Sequence, residues 1–349
     1  MVVEPTSPAE PWSAVVTQMD VARKAGVSRR TVSNVVTDFP YVSTEVRERV
    51  QRAIAELGYV PDRAAQRMRT GRSGVIALLV PEVGVGYFGE MGDLIIEAAA
   101  ARGMGTIVGQ TRGSRIRELQ EIDRVLALQP DGLILSPLGL TPEDLVAVRS
   151  RCPVSLIGEH FLGSGEPAVA IDNFAASREL VSHLLSTGRR RIAFLGVTDD
   201  VPRFMSLRHD GYLAALRDGG AQPAGDVHTE AHEYIDGFTS GTRLAARIRA
   251  GAEIDAVFCI TDELAIGLIR ALHDAGLSVP GDVAVAGFDD IPEGRYATPR
   301  LTTVSPDKEE IARRALGALL DEASPTGPIQ YRLSIRESTA GQRPMEASA

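Results

Sequence analysis

Between residues 73 and 340, short apolar runs alternate with helix-like segments, a pattern that few folds accept. The runs are Val75 to Val80, Thr106 to Gly109, Gly132 to Ser136, Val154 to Gly158, Ile192 to Gly196, Ala256 to Ile260 and Val283 to Phe288, and amphipathic stretches of about ten to fifteen residues separate most of them. A strand that is apolar throughout must bury both faces, which a parallel sheet covered by helices provides. The pattern therefore predicts βαβ units and an α/β body of doubly wound parallel sheets. Ligands of such sheets sit beyond the carboxyl ends of the strands, so the residues just after each run carry the functional interest.

The chain has 349 residues with 44% hydrophobic content, enough for more than one core. Its net charge of -9 argues at first against a nucleic-acid partner. The charge is segregated, however: residues 17 to 72 hold eleven Lys or Arg against six acids, a local excess of +5 on an otherwise acidic chain. Such a basic head can neutralise phosphates, although a solvated charged face would look the same in composition. Met1 to Pro11 is acidic and proline-rich where a signal peptide would be basic and then apolar, and no apolar stretch is long enough to span a membrane, so a cytoplasmic protein without membrane contact is expected. Cys152 and Cys259 stand far apart beside apolar runs, as reduced thiols would.

Within the head, Thr17-Gln18-Met19-Asp20 has the hydroxyl-x-x-acid form that caps a helix start. A short helix to about Ala25 is expected, broken by Gly26, with Val27 buried and Ser28 capping a second helix through about Val36. A third helix begins at Ser43 or Thr44 and ends near Leu57-Gly58, with Val46, Val50, Ile54 and Leu57 as its apolar stripe. Two helices joined by a tight glycine turn can place the second in a DNA major groove. Arg29, Arg30 and Asn34 on that helix are the candidate base readers, because arginine pairs bidentately with guanine and asparagine with adenine. Thr31, Ser33 and Thr37 are candidates for phosphate contacts, and Thr17 and Ser28 complete the expected DNA-facing set.

Two motifs in the body point elsewhere. Gly84-x-Gly86-x-x-Gly89 follows a strand like a dinucleotide fingerprint, but the second strand ends Val108-Gly109-Gln110-Thr111 without the acid that would hold a ribose. His228 and His232, with Glu230 and Glu233, would suit zinc only on a helix, and Gly225-Asp226-Val227 reads as a turn and strand, so a solvated connection is expected there. No metal, cofactor or catalytic constellation is expected. The strand ends offer a binding cleft instead: Tyr87 and Phe88, Arg203 and Arg208, Thr261 and Asp262, and Asp289 and Asp290 suit a polyhydroxy ligand.

These features are ordered in a recognisable way. Asp20-Val21-Ala22, Ala25-Gly26-Val27-Ser28, Thr31-Val32-Ser33, Val42-Ser43, Glu56-Leu57-Gly58-Tyr59 and Arg69-Thr70-Gly71 resemble the head of the lactose-repressor (LacI/GalR) family. The body resembles the same family and the periplasmic sugar-binding proteins through Thr261-Asp262-Glu263-Leu264-Ala265-Ile266-Gly267, Gly287-Phe288-Asp289-Asp290-Ile291 and Arg336-Glu337-Ser338-Thr339, among other segments. The periplasmic alternative is disfavoured by the head and the absent signal peptide.

The resemblance implies an all-α helix-turn-helix head and a periplasmic-binding-protein-like body of two doubly wound lobes. The expected division is a tail over 1–16, a DNA-binding domain over 17–60, a hinge over 61–72, a body over 73–340 and a tail over 341–349. Lobe one would take about 73–172 and 301–322, and lobe two about 173–300 and 323–340, with Ile329 to Ile335 a strand of the latter. The resemblance further implies a homodimer that represses transcription from double-stranded operator DNA under control of a small-molecule effector: a sugar, a sugar derivative or a nucleoside. Its hinge would order on DNA, with Arg63 and Met68 in contact and Met68, where leucine is usual, wedged into the minor groove. Arg208 and Asp289 become the main effector contacts, supported by Tyr87, Phe88 and Thr261, with Arg203 and Asp172 as further candidates. Asn34 stands where arginine or histidine is frequent, and Thr261 where asparagine is, so operator and ligand are expected to depart from the common ones. Beyond Gly341 nothing resembles leucine heptads, so a dimer without an added tetramerisation helix is expected.

Overall fold

The computed structural model describes residues 16–60, 71–84, 86–161, 167–198, 203–320 and 327–340. The chain divides into two compact units, Met1–Ser73 and Gly74–Ala349. Most of the hinge, including Arg63 and Met68, lies outside the described residues, as do both tails.

The head contains helices α1 (Gln18–Ala25), α2 (Arg29–Val36) and α3 (Thr44–Leu57). The start of α1 is a capping box: Asp20 N–H donates to the Thr17 hydroxyl while Thr17 N–H donates to the Asp20 carboxylate at 3.0 Å. Gly26 ends the helix in the left-handed region at φ 63°, and Val27 N–H closes onto Ala22 O at 3.0 Å. Ser28 then accepts from Thr31 N–H at 3.1 Å and starts α2. Val21, Val32 and Val50, one from each helix, are fully buried. Burial of each is worth about 1.5 to 3 kcal/mol. The expected stripe on α3 is present with Val50 at its centre, and Val46, Ile54 and Leu57 are half-buried around it.

The body is built on two sheets. The first contains β1 (Val75–Val80), β2 (Gly105–Gln110), β3 (Gly132–Leu135), β4 (Val154–Ile157) and β5 (Ala168–Val169), all parallel, in the order β2-β1-β3-β4-β5. It is flanked by α4 (Gly86–Ala100), α5 (Arg115–Ala127) and α6 (Pro142–Arg149). Strand β1 shows why its sequence lacks alternation: Ile76, Leu78 and Val80 pack with Met91, Ile95 and Ala99 of α4, while Ala77 and Leu79 pack with Ile122 and Val125 of α5.

The second sheet contains β6 (Ile192–Val197), β7 (Asp226–His228), β8 (Ala256–Cys259), β9 (Ala284–Phe288), β10 (Thr302–Pro306) and β11 (Tyr331–Ser334), in the order β11-β10-β9-β8-β6-β7. Only β11 runs antiparallel to its neighbour. Its helices are α7 (Asn173–Ser186), α8 (Arg203–Asp218), α9 (Tyr234–Arg249), α10 (Asp262–Asp274) and the short α11 (Pro292–Tyr296). Helices α9 and α10 meet with almost no side-chain spacing. A Cβ on Gly237 would lie 2.3 Å from Leu264 O, and one on Gly267 would lie 2.1 Å from Tyr234 O, so only glycine fits at either place.

In both sheets the strand order reverses once, beside β1 and beside β6, and the crevices at those points face the carboxyl ends of the strands. The segment 301–322, expected whole in the first lobe, is divided. Residues 302–306 form β10 in the second sheet, and only α12 (Lys308–Leu319) packs against α4, β3 and β4 of the first. The strand escaped notice because it is built on threonines; the Thr302 hydroxyl is satisfied by Arg336 O at 3.0 Å and Thr339 at 2.7 Å, so it is buried without cost. The chain passes between the lobes after β5, after β10 and after α12, and these passes are joined by Ile329 N–H to Ala170 O at 2.8 Å and Asp307 N–H to Gln330 O at 3.0 Å. Both cysteines are free thiols. Among the described residues, no helix is long and apolar enough to cross a membrane.

Candidate functional site

On the head, Arg30 is exposed and Asn34 follows it one turn later on the same side of α2, while Val32 and Val35 point into the core. Arg29 is also exposed, but its Nε donates to Gln18 Oε1 on α1 at 3.2 Å, which fixes the direction of its guanidinium. The hydroxyls expected to face DNA already have local tasks. Thr17 donates to the Asp20 carboxylate at 2.6 Å, Ser28 and Thr31 share a hydrogen bond of 2.9 Å, and Thr37 donates to Asn34 O at 3.3 Å. Ser33 is half-buried on α2. At the end of α2 the exposed Phe39 and Tyr41 stack edge to face, with centroids 5.6 Å apart.

In the body, a cavity of about 260 Å³ lies between the carboxyl ends of the two sheets. Its wall takes Tyr87 and Phe88 from the start of α4, Ser136 after β3, and Glu159 and His160 after β4. From the other side come Arg208 on α8, His232 and Glu233 after β7, Thr261 and Glu263 after β8, and Asp289 after β9. Arg208 is the hub. Its Nε donates to Asn173 Oδ1 at 2.7 Å, its Nη1 to Ile260 O at 2.5 Å and its Nη2 to Asp289 Oδ1 at 3.2 Å, and its guanidinium lies 3.5 Å above the Phe288 ring centroid. Asn173 in turn donates to Glu159 Oε1 at 2.5 Å, so a polar chain runs Glu159, Asn173, Arg208, Asp289 through the floor of the cleft. Asp289 holds φ 105°, a conformation that costs about 1–3 kcal/mol outside glycine and is imposed by its place between β9 and α11.

The electrostatics follow from this packing. Burial pushes the Glu159 carboxyl up, partly offset by the Arg208 charge and the Asn173 amide. Burial and then the negative Asp289 raise Glu263 to about 7, and the same two causes raise the Tyr87 hydroxyl. Burial lowers His232, whose Nε2 lies 3.0 Å from Gly196 O, so that neutral imidazole is favoured.

The structure brings Tyr87, Phe88, Arg208, Thr261 and Asp289 together around one cavity. Asp172 behaves differently: its carboxylate caps α7 by accepting from Ala175 N–H at 2.9 Å, and it is Asn173 that joins Arg208 and Glu159 behind the cavity wall. Arg203 opens α8, and its side chain lies outside the described residues. Asp262 and Asp290 are structural. Asp262 accepts from Ile291 N–H at 2.9 Å, and Asp290 accepts from Arg336 at 2.6 Å and Ser305 at 2.8 Å. His232, expected in a solvated connection, is instead half-buried on the cleft wall. Glu159, His160 and Glu263 are wall residues that the sequence did not single out as ligand contacts, and His232 was weighed only as half of a zinc pair. Glu159 and His160 directly follow the run ending at Gly158, so the strand-end rule had pointed to them.

The two alternative motifs are also placed. A Cβ on Gly86 would lie 3.2 Å from Ile291 Cβ and 3.3 Å from Glu293 Oε2, so a side chain and a carboxylate stand where a pyrophosphate would have to be. No cluster of three or more His, Cys, Asp or Glu suited to a metal occurs among the described residues.

The two parts of the chain match two family models. Residues 17–62 match the bacterial regulatory proteins of the lacI family, and residues 181–339 match a periplasmic binding protein-like domain. The HTH-type transcriptional regulator GalS of Salmonella typhimurium is 30% identical over 318 residues, covering 89% of this chain and 91% of that protein. The HTH-type transcriptional regulator GntR of Pseudomonas aeruginosa is 31% identical over 331 residues, covering 92% and 94%. Among solved structures, the lac repressor dimer bound to operator and the anti-inducer ONPF superposes with a TM-score of 0.79 at 26% identity, covering 93% of this chain and 99% of that one.

Proposed function

This chain belongs to the LacI family of bacterial regulatory proteins, and from that premise we propose that it is a sequence-specific transcriptional repressor whose operator affinity is set by a small molecule held in the interlobe cleft. The observation that carries the sensing half is the polar chain Glu159, Asn173, Arg208, Asp289, which ties groups beyond β4, β8 and β9 to one another at the cavity. An occupant of that cavity touches both lobes, so its binding energy differs between lobe angles. Such a difference couples ligand to DNA, and the coupling is reciprocal. Two chains act as a homodimer on adjacent half-sites, a reading supported by the likeness to a lac repressor dimer bound to operator. Arg30 and Asn34 read base edges, Arg29 assists from its Gln18 support, Thr31, Ser33 and Thr37 meet phosphates, Thr17 and Ser28 face the DNA beside them, and in the hinge Arg63 contacts DNA while Met68 wedges into the minor groove. The place of action is the cytoplasm, where the operator is, and the cleft serves binding without catalysis. The effector is a sugar, a sugar derivative or a nucleoside.

Selection of bound fragments from the source genome, followed by gel-shift titration with and without candidate effectors, tests the reading. A pseudo-palindromic site whose base preference changes in Arg30→Ala or Asn34→Ala is expected, with affinity falling steeply as salt rises. Unchanged base preference in both variants would remove the reader assignment.

A further inference from the structure

The charge on the cleft wall separates effector classes that the fold alone leaves together. Two cations line the cavity among the described residues, and both are engaged: Arg112 with Glu82 at 2.9 Å, and Arg208 with Asp289, Asn173 and Ile260 O. Three carboxylates on the same wall, Glu159, Glu233 and Glu263, exceed those two ion pairs. Glu263 is the most telling of them. It is 2% exposed, it faces the cavity, and its Oε1 has no hydrogen-bond partner among the described residues. A buried acceptor of this kind calls for a donor from whatever occupies the space beside it. Among the described residues, an incoming carboxylate or phosphate would instead meet three acids and no uncommitted cation, an unfavourable encounter in a setting that screens charge poorly.

We propose, on the reading of this cleft as the effector site, that the effector is a hydroxyl-rich molecule without carboxylate or phosphate that donates a hydrogen bond to Glu263 through a hydroxyl or an ammonium group. Glu263 is then a specificity-determining residue: it accepts from the ligand and repels acids. Tyr87 and Phe88, whose rings meet edge to face at 5.2 Å, supply apolar surface for the faces of a sugar ring on the same wall.

The test uses the full chain and matched probes that differ in charge. Glucose, galactose, cellobiose and adenosine form the neutral set, glucosamine and galactosamine the amine set, and gluconate, galacturonate, glucose 6-phosphate and adenosine monophosphate the anionic set. Thermal shift at up to 10 mM probe identifies binders, and calorimetry gives their Kd. Binding is expected within the neutral or amine sets, and Glu263→Gln is expected to weaken the best binder at least tenfold, more so for an amine than for its hydroxyl counterpart. An anionic probe that binds more tightly than its neutral counterpart overturns the proposal while leaving the sensor intact, as does a Kd within twofold of the parent in Glu263→Gln. Failure of all three sets to bind or to change operator affinity counts instead against the sensor reading itself, and takes the proposal with it.

Discussion

Replacing Glu263 by glutamine in the effector-free protein isolates the cost of holding a carboxylate in the cleft wall. Burial and the nearby Asp289 raise this carboxyl from its ordinary 4.5 to about 7. The folded protein therefore keeps a proton that the unfolded chain has released. Stability falls as pH rises from about 4.5 and levels off above about 7. At about 1.4 kcal/mol per pKa unit, the penalty comes to about 3 kcal/mol at pH 8, with under about 1 kcal/mol of it present at pH 5. Glutamine keeps the shape and carries no charge to desolvate. Allowing for relaxation around the charged form, Glu263→Gln should stabilise the protein by about 1–3 kcal/mol at pH 8, which is about 2–5 °C in Tm for a body of this size, and by under about 1 kcal/mol at pH 5. Scanning calorimetry of parent and variant at pH 5, 6, 7 and 8, without ligand, reads this directly. An equal shift at pH 5 and pH 8 would refute the reasoning, because packing rather than charge would then govern the site; a lower Tm at pH 8 would refute it outright. The residue that weakens binding when changed is thus expected to strengthen the empty protein.

The head offers an independent check. Gly26→Ala meets no neighbour within 4 Å but must hold φ 63°, so thermal unfolding of the head should show a loss of about 1–2 kcal/mol without a change in base preference. In the body, buried Lys308 joins the Glu90 carboxylate on α4 to Asp290 O beyond β9 at 3.1 Å. Lys308→Met should cost about 2–3 kcal/mol in denaturant titration, below the usual range for a buried pair because Glu90 is partly hydrated, and Glu90→Gln in the same chain should recover part of that loss.

The head was legible almost residue by residue because its signals are local. A cap, a glycine and an apolar stripe each act within a few residues, and Thr17, Gly26, Ser28 and Val50 all stand where those signals put them. In the body, the strands that are apolar throughout were visible, while β10 was hidden behind buried threonines whose partners, Arg336 and Thr339, lie more than thirty residues away. The cleft followed the same division. Arg208 and Asp289 stand out as charges at strand and helix ends, but a carboxylate such as Glu263 looks like any first-turn acid until the sheet order shows what it faces. Asp172 was misleading for a related reason. Asp and Asn adjoin at a helix start, and whether the cap or its neighbour points inward is set by the tertiary turn.

The threefold passage of the chain between the lobes has a consequence for biosynthesis. The first lobe lacks one of its helices until residues 308–319 have left the ribosome, and the second lacks its edge strand until residues 331–334 have followed. Neither lobe is a contiguous stretch of polypeptide, so neither can mature ahead of the other as a finished bead. The head, complete by Leu57, is free to fold while nearly the whole body is still being made. A message cut short near its end would then yield a chain with an intact DNA-reading head and two unfinished lobes: a nascent repressor that has acquired its address before its sense organ.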